Sequence, residues 1–248
     1  MSISIFLADP IPLPEEIQGW AEKWKWPLVR EPQGPLQLEW HEGILSLCHR
    51  TQRLPSVTVD FIELWRTTKI GKHDIFAKAI GVRNGLRQVV DATAGLGGDL
   101  IKLLKLGCTV TAFEQSPVVF ILLKDADRRA RLDSRWLTGG GARLQLHFGE
   151  AAQAFDELQS KSCEVIYLDP MFADKNKTAL SKGEMQIMQQ LLDEPEQATA
   201  VENLWSQACA KATRRVVLKR PRLGEQLNKE PDLKFSGKSV RYDVWLKI

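Results

Sequence analysis

From Gln88 to the C-terminus, short apolar runs alternate with helical stretches, and this rhythm restricts the chain more than any other feature. "QVVDAT" reads as a continuous apolar strand and "GDLIKLLKLG" as a short helix closed by Gly107. "CTVTAFE" is a second strand, after which Ser116 caps a helix with Pro117 at its first position, "PVVFILLKDADRRARL". "ARLQLHFG" predicts a third strand, "AAQAFDELQ" a helix and "CEVIYLDP" a fourth strand. Helices from about Lys182 to Leu192 and from Gln197 to Ala212 lead to a fifth strand, "RRVVLKRP". "DLKFSGKSVRYDVWLKI" then ends the chain as an antiparallel pair. Strands separated by helices require right-handed crossovers and a mostly parallel sheet covered on both faces. The fold class is therefore α/β.

The first 60 residues have a different grain, and most of the prolines fall there (Pro10, Pro12, Pro14, Pro27, Pro32, Pro35, Pro55). The short apolar pieces "SISIFLA", "PLVR", "LQLEWHEGILSLCHR" and "SVTVDF" predict strands, with a helix from Glu15 to Trp24. The expected organisation is a small N-terminal α+β subdomain over 1–60, a connector with a helix over 61–87 and the main domain over 88–248. Trp20, Trp24 and Trp26 suit the core of the small subdomain.

At 248 residues the chain can bury a core that needs neither disulfides nor structural metal. Cys48, Cys108, Cys163 and Cys209 lie far apart with no CxxC spacing, and His41 and His49 near Cys48 lack a second ligand pair, so no metal is expected. A net charge of +3 permits a polyanionic partner without indicating one. "MSISIFLADP" lacks the basic start and apolar core of a secretory signal, and no run reaches membrane-spanning length. A cytoplasmic protein is expected.

The first strand runs into "VVDATAGLGGDL", the local pattern of a cradle for a nucleotide-like ligand. A phosphate-binding GxxxxGK[ST] loop is excluded, because Gly98 is followed by Asp99 and Leu100. A dinucleotide GxGxxG fits at Gly95 and Gly97 but has Leu100 in third place, and Asp99 puts negative charge where a pyrophosphate would sit. S-adenosylmethionine fits better. It carries no phosphate, so close backbone approach at the glycines suffices, Asp91 or Asp99 suits its ammonium, and Glu114 suits its ribose hydroxyls. NAD sites use such an acid too, so Glu114 alone does not choose between them. A tight turn with no ligand is the plain alternative.

The stretch that discriminates is "VIYLDPMFADKNK", from Val165. Asp169-Pro170-Met171-Phe172 resembles the [DN]-P-P-[FYW] motif of methyltransferases that act on exocyclic amino groups. Such a nitrogen is a poor nucleophile because its lone pair is delocalised into the ring. The Asp169 side chain and the Pro170 carbonyl can accept its two hydrogens and aim the lone pair at a sulfonium methyl, while Phe172 stacks on the base. A lone "DP" is commonly just a strand-ending turn; the glycine loop upstream favours the chemical reading.

Together, "DATAGLGGD", the acid of "FEQSPVV", "YLDPMF", "KNKTALSKGEM" and "RRVVLKRP" resemble the ribosomal small subunit methyltransferase J family, the 16S rRNA (guanine(1516)-N(2))-methyltransferases. The resemblance runs from about Val59 to the C-terminus. It implies a Rossmann-like class I S-adenosylmethionine-dependent methyltransferase that modifies one guanine in 16S rRNA, either free or in the 30S subunit. Cofactor contacts are implied at Gly98 and Asp99, at Glu114 and Gln115, at Gly149 and Glu150, and at Asp169, beside Asp91, Gly95 and Gly97. The chain departs from the family pattern in three places. Gly98 and Gln115 stand where arginines are usual, "IGKHD" (Ile70 to Asp74) replaces "GGGR", and Val240 replaces a histidine ahead of Arg241, Tyr242 and Asp243.

Lys175, Lys177 and Lys182 follow the motif, and Lys211, Arg214, Arg215, Lys219, Arg220 and Arg222 surround the fifth strand. All are expected at or near the C-terminal edge of the sheet or on its flanking helix. Contact with rRNA phosphates is expected of the Lys175/Lys177 pair beside Phe172, while any other one of these residues more simply forms a solvated helix or strand end. The target guanine must be single-stranded or turned out of its stack. Other readings stay open: an amino-methyltransferase acting on DNA adenine or a protein amide, an NAD-dependent oxidoreductase, or a non-catalytic RNA-binding module. Oligomeric state is not legible, and a monomer is compatible.

Overall fold

The computed structural model describes residues 3–155, 163–170, 182–191, 198–224 and 226–247, which form two β-sheets. The smaller sheet has the order β2-β1-β3-β4 and is built from β1 (Ile5–Leu7), β2 (Leu28–Val29), β3 (Leu36–His41) and β4 (Ile44–His49). β1 runs parallel to β2 and β3, with α1 (Glu15–Lys23) as the crossover to β2, while β3 and β4 form a hairpin. "SVTVDF" is not a strand: Val57 makes one isolated bridge to Leu47. Asp60 then ends the extended run by accepting the amides of Ile62 and Glu63, both at 2.9 Å, which caps α2 (Phe61–Thr67). Asp74 caps α3 (Ile75–Ile80) in the same way, so this connecting stretch holds two α-helices.

The larger sheet is laid down by β5 (Gln88–Asp91), α4 (Gly98–Lys105), β6 (Thr109–Glu114), α5 (Pro117–Ala130), α6 (Ser134–Gly139), β7 (Leu144–Phe148), α7 (Ala151–Ala154) and β8 (Val165–Leu168). The chain continues through α8 (Lys182–Leu191), α9 (Ala198–Lys211), β9 (Arg215–Pro221), β10 (Leu233–Ser236) and β11 (Val240–Leu246). The strand order is β10-β11-β9-β8-β5-β6-β7, with β11 antiparallel between β9 and β10 and the five strands from β9 to β7 parallel. Of the described elements from β5 onward, α6 has no counterpart in the sequence pattern. Its short turn is held by Asp133, which accepts the Arg135 amide at 2.8 Å, and by buried Trp136.

The alternation of β-strand side chains explains the two cores. Val89, Val165 and Val217 face one way, into a cluster with Leu100, Ile101, Phe61 and Phe76 that continues into Ile5, Leu38 and Leu45 of the smaller sheet. Val90, Ile166 and Val216 face the other way, onto Val201 and Ala208 of α9 and onto Trp245. Asp125 of α5 joins the two sheets. It is fully buried, accepts the Leu45 amide at 3.1 Å, and pairs with Arg128 and Arg129 at 2.8 Å. Buried charge of this kind persists only when paired on several sides. No helix among the described residues is long and apolar enough to cross a membrane.

Two crossovers diverge from β5, to β6 on one side and, by way of the later strands, to β8 on the other. Such a switch point opens a crevice beyond the carboxyl ends of the strands, and in this sheet it lies between Asp91 and Asp169.

Candidate active site

The loop after β5 is stitched to both neighbouring strands. The Ala92 amide donates to the Tyr167 carbonyl at 3.0 Å and the Ala94 amide to the Phe113 carbonyl at 2.9 Å. The Gly95 amide donates to Glu114 Oε2 and the Ser116 amide to Glu114 Oε1, both at 2.8 Å, so amides from two loops fix both oxygens of this acid. Gly97 precedes α4 with φ +84°, and a Cβ there would stand 2.9 Å from Phe61 Cε1, so only glycine fits. The Gly149 amide donates to the Glu114 carbonyl at 3.0 Å, which places Gly149 and exposed Glu150 beside the end of β6. A Cβ at Gly95, Gly98 or Gly149 would meet no heavy atom within 4 Å, so these three glycines leave open space along the rim.

The acid after β8 is tied to the same loop. The Asp169 amide donates to Thr93 Oγ1 at 2.7 Å. Its carboxylate Oδ2 accepts from Lys219 Nζ at 2.7 Å, and the same ammonium donates to Asp99 Oδ2 at 2.8 Å. Asp99 Oδ2 also accepts the Tyr167 hydroxyl at 2.6 Å. One lysine thus bridges the helix after the glycine loop to the acid of "DP".

Burial sets the electrostatics. Asp91 is 1% exposed, and desolvation, reinforced by Asp99, Asp169 and Glu114 against the Thr93 amide, pushes its carboxyl up to about 8. Desolvation also raises Asp169, to about 6; Lys219 opposes that rise and Asp99 adds to it. At Asp99 desolvation is outweighed by the charge and hydrogen bond of Lys219 and by the Tyr167 hydroxyl, so the carboxyl lies below its ordinary value. Lys219 is held firmly protonated: burial works against the charge, but Asp169 and Asp99 prevail. Around the rim there is thus a buried, protonated acid, a fixed carboxylate at Glu114, and a carboxylate at Asp169 facing a cation. That set suits a ligand carrying hydroxyls and a positive charge and, among the described residues, offers no cationic cradle for a pyrophosphate.

The family model described as "Putative SAM-dependent methyltransferase" matches residues 20–247. Ribosomal RNA small subunit methyltransferase J of Shewanella sp. (strain W3-18-1) is 37% identical over 230 residues, covering 90% of this chain and 87% of that one. The protein of the same name from Shewanella oneidensis is also 37% identical, covering 90% and 91%. The chain belongs to this methyltransferase J family. A crystal structure of a SAM-dependent methyltransferase from Neisseria gonorrhoeae superposes with a TM-score of 0.77 at 34% identity, covering 98% of this chain and 96% of that one. The Rossmann-like class I architecture and dependence on S-adenosylmethionine follow from membership.

In this methyltransferase the switch point brings together Asp91, Gly95, Gly97, Gly98, Asp99, Glu114, Gly149 and Asp169. Gln115 is exposed just past β6, and buried Pro170 follows Asp169. Met171, Phe172, Lys175 and Lys177 lie outside the described residues, as does the side chain of Lys182.

The basic cluster divides. Arg215 pairs in register with Val165, the first residue of β8, so Lys211, Arg214 and Arg215 stand at the opposite edge of the sheet from Asp169. The reason is directional: α9 runs back against the strands and delivers its C-terminal end there. Arg215 is buried and donates to the Ala79 carbonyl at 3.0 Å. Lys219 is engaged with two carboxylates and Arg220 is buried, which leaves Arg222 as the exposed arginine at the catalytic edge.

Sequence reading did not single out Thr93 or Tyr167, nor the two carboxylates that hold Lys219. The signal for Lys219 lies in register: Leu168 pairs with Leu218, so the next residues along are Asp169 and Lys219. Strand order has to be known before that signal can be read. Among the described residues, no group of three or more His, Cys, Asp or Glu could hold a metal ion.

Proposed function

We propose that this methyltransferase transfers the methyl group of S-adenosylmethionine to N2 of a guanine, that at position 1516, in 16S rRNA. The observation that carries the reading is the 2.7 Å bond from the Asp169 amide to Thr93 Oγ1, which fixes the "DP" acid against the glycine loop. The relatives are named for the RNA of the small ribosomal subunit, which supports RNA as the substrate.

When bound, S-adenosylmethionine supplies an electrophilic methyl on a sulfonium. The backbone at Gly95, Gly97 and Gly98 allows close approach, Glu114 accepts from the ribose hydroxyls, and Gly149 and Glu150 border the adenine. Asp91 and Asp99 supply acid on the side of the ammonium. Asp169 and the Pro170 carbonyl accept the two amino hydrogens of guanine, and Phe172 stacks on its ring. The nitrogen lone pair is thereby directed at the methyl carbon. With the cofactor bound, this lone pair would form the N–C bond as the S–C bond broke, the bonding pair staying on sulfur and the amino nitrogen giving up a proton to water. Orientation of this kind can supply roughly 7–11 kcal/mol of a barrier, so placement by Asp169 is the largest contribution expected of the protein.

The test is methyl transfer from labelled S-adenosylmethionine to small subunits, and separately to naked 16S rRNA, from cells lacking the activity. Label on N2 of one guanine is expected, and the two substrates show which form of the RNA is required. Cofactor binding without label on either RNA would redirect the search to DNA adenine or a protein amide.

A further inference from the structure

We propose that Lys219 is a positioning residue of the methyl transfer: it occupies Oδ2 of Asp169 and leaves Oδ1 as the acceptor for the target amino group. This rests on the amino-methyltransferase reading above. Lys219 Nζ stands 2.7 Å from Asp169 Oδ2 and 2.8 Å from Asp99 Oδ2, and no described residue donates to Asp169 Oδ1. The Asp169 side chain is 34% exposed, so its second oxygen is within reach of a ligand.

The second ion pair explains why the lysine stays in place. A lysine paired with one acid could turn toward an RNA phosphate. Here Asp99 holds the ammonium from the far side and is itself held by the Tyr167 hydroxyl at 2.6 Å. Asp99 lies in the first turn of α4, directly after the glycine loop, so the cation is oriented from the cofactor half of the site.

The chemistry favours the pair. A neutral oxygen such as the Pro170 carbonyl can accept an amino N–H, but a carboxylate accepts it more strongly, and a partly desolvated carboxyl without a cation takes up a proton and becomes a donor on one oxygen. Lys219 therefore decides which oxygen faces the substrate and keeps the acid in the form that accepts most strongly. Other groups facing this cluster are Asp91 on β5, Tyr167 on β8, Lys102 on α4, Tyr242 on β11 and Asp74 ahead of α3. All of them remain when only Lys219 is changed.

The experiment compares wild type, Lys219→Met and Lys219→Arg in two ways. Carboxyl-13C aspartate labelling follows the titration of Asp169 without RNA, with the signal assigned by its loss in Asp169→Asn. The pH profile of kcat is then recorded on small subunits. In Lys219→Met, Asp169 is expected to bind its proton about tenfold or more tightly. With the wild-type carboxyl at about 6, the variant's kcat falls by a similar factor at about pH 5 but only about twofold at pH 7, and recovers as pH rises further, while KM for S-adenosylmethionine stays within about threefold. Lys219→Arg keeps the acidic limb at the wild-type pH.

An unmoved Asp169 titration, or a loss of kcat equal at every pH, overturns the proposal. If Lys219→Met does not fold, Lys219→Arg decides: a limb at the wild-type pH supports the proposal and a limb moved to higher pH overturns it. If wild type binds cofactor but labels no RNA, the RNA reading falls, while the RNA-free titration still decides whether Lys219 governs Asp169.

Discussion

Replacing Asp91 with asparagine should make the protein's stability less sensitive to alkaline pH. Asp91 ends β5 with 1% of its surface exposed and releases its proton only at about 8, against 3.8 for an ordinary aspartate. Between those values the unfolded chain binds fewer protons than the native protein, so stability falls as pH rises. At about 1.4 kcal/mol for each tenfold difference in proton affinity, full titration of Asp91 costs the fold on the order of 5 kcal/mol. That is a large fraction of the roughly 5–15 kcal/mol typical of a folded domain.

In Asp91→Asn the side-chain amide cannot titrate, and whatever fixed cost it carries is the same at every pH. Urea unfolding of both proteins from pH 5 to pH 8 should therefore show the variant gaining roughly 3–4 kcal/mol relative to wild type across the range. Parallel stability curves would refute the reasoning, because they would mean that Asp91 is already ionised in the fold at pH 5. The same protonation predicts that binding a ligand ammonium beside Asp91 releases a proton. Calorimetry of S-adenosylmethionine binding in two buffers of different ionisation enthalpy reads that release directly.

Three further outcomes follow from the site. Asp169→Ala should lower turnover on RNA by about two orders of magnitude or more, since it removes the acceptor that orients the amino group, and near-normal turnover would remove Asp169 from the mechanism. Gly97→Ala should destabilise the protein by about 1 kcal/mol or more, because φ +84° and the 2.9 Å approach to Phe61 both reject a side chain; an unchanged Tm would contradict the packing. Arg222→Glu, and charge reversal at Lys175 with Lys177, should weaken RNA binding while leaving cofactor affinity intact. Each lost phosphate contact should flatten the salt dependence by about 0.7 in log–log slope, and equal loss of both affinities would count against RNA contact.

The paired aspartates gather repulsive, desolvated charge at the one place where the sheet opens. A single cation, Lys219, is shared between Asp99 and Asp169, while Asp91 is left to keep its proton. Local strain in charge is common where a site must distinguish protonation states, and here it coincides with the glycine loop.

What the sequence determined by itself was local. The period of the strands from Gln88 onward, the cap at Ser116 with Pro117, and the glycines between Asp91 and Asp99 are short-range signals that depend only on neighbouring residues, and they appear at β5, α5 and α4. "DP" after an apolar strand marked Asp169 for the same reason. Two local misreadings are instructive. "SVTVDF" alternates like a strand, but its first valine has a single bridging partner and Asp60 captures the next amides for a helix. α6 is too short for periodicity to register and depends on the burial of Trp136. The tertiary structure alone decided which charges meet. Lys219 is 120 residues from Asp99 and 50 from Asp169, and nothing in their spacing joins them. Arg215 and Lys219 are close neighbours on one strand, yet one is buried at the far edge and the other stands in the site. Side-chain direction and strand end are fixed by register against β8, a non-local pairing, and the energy of a buried charge depends on the partners that register supplies.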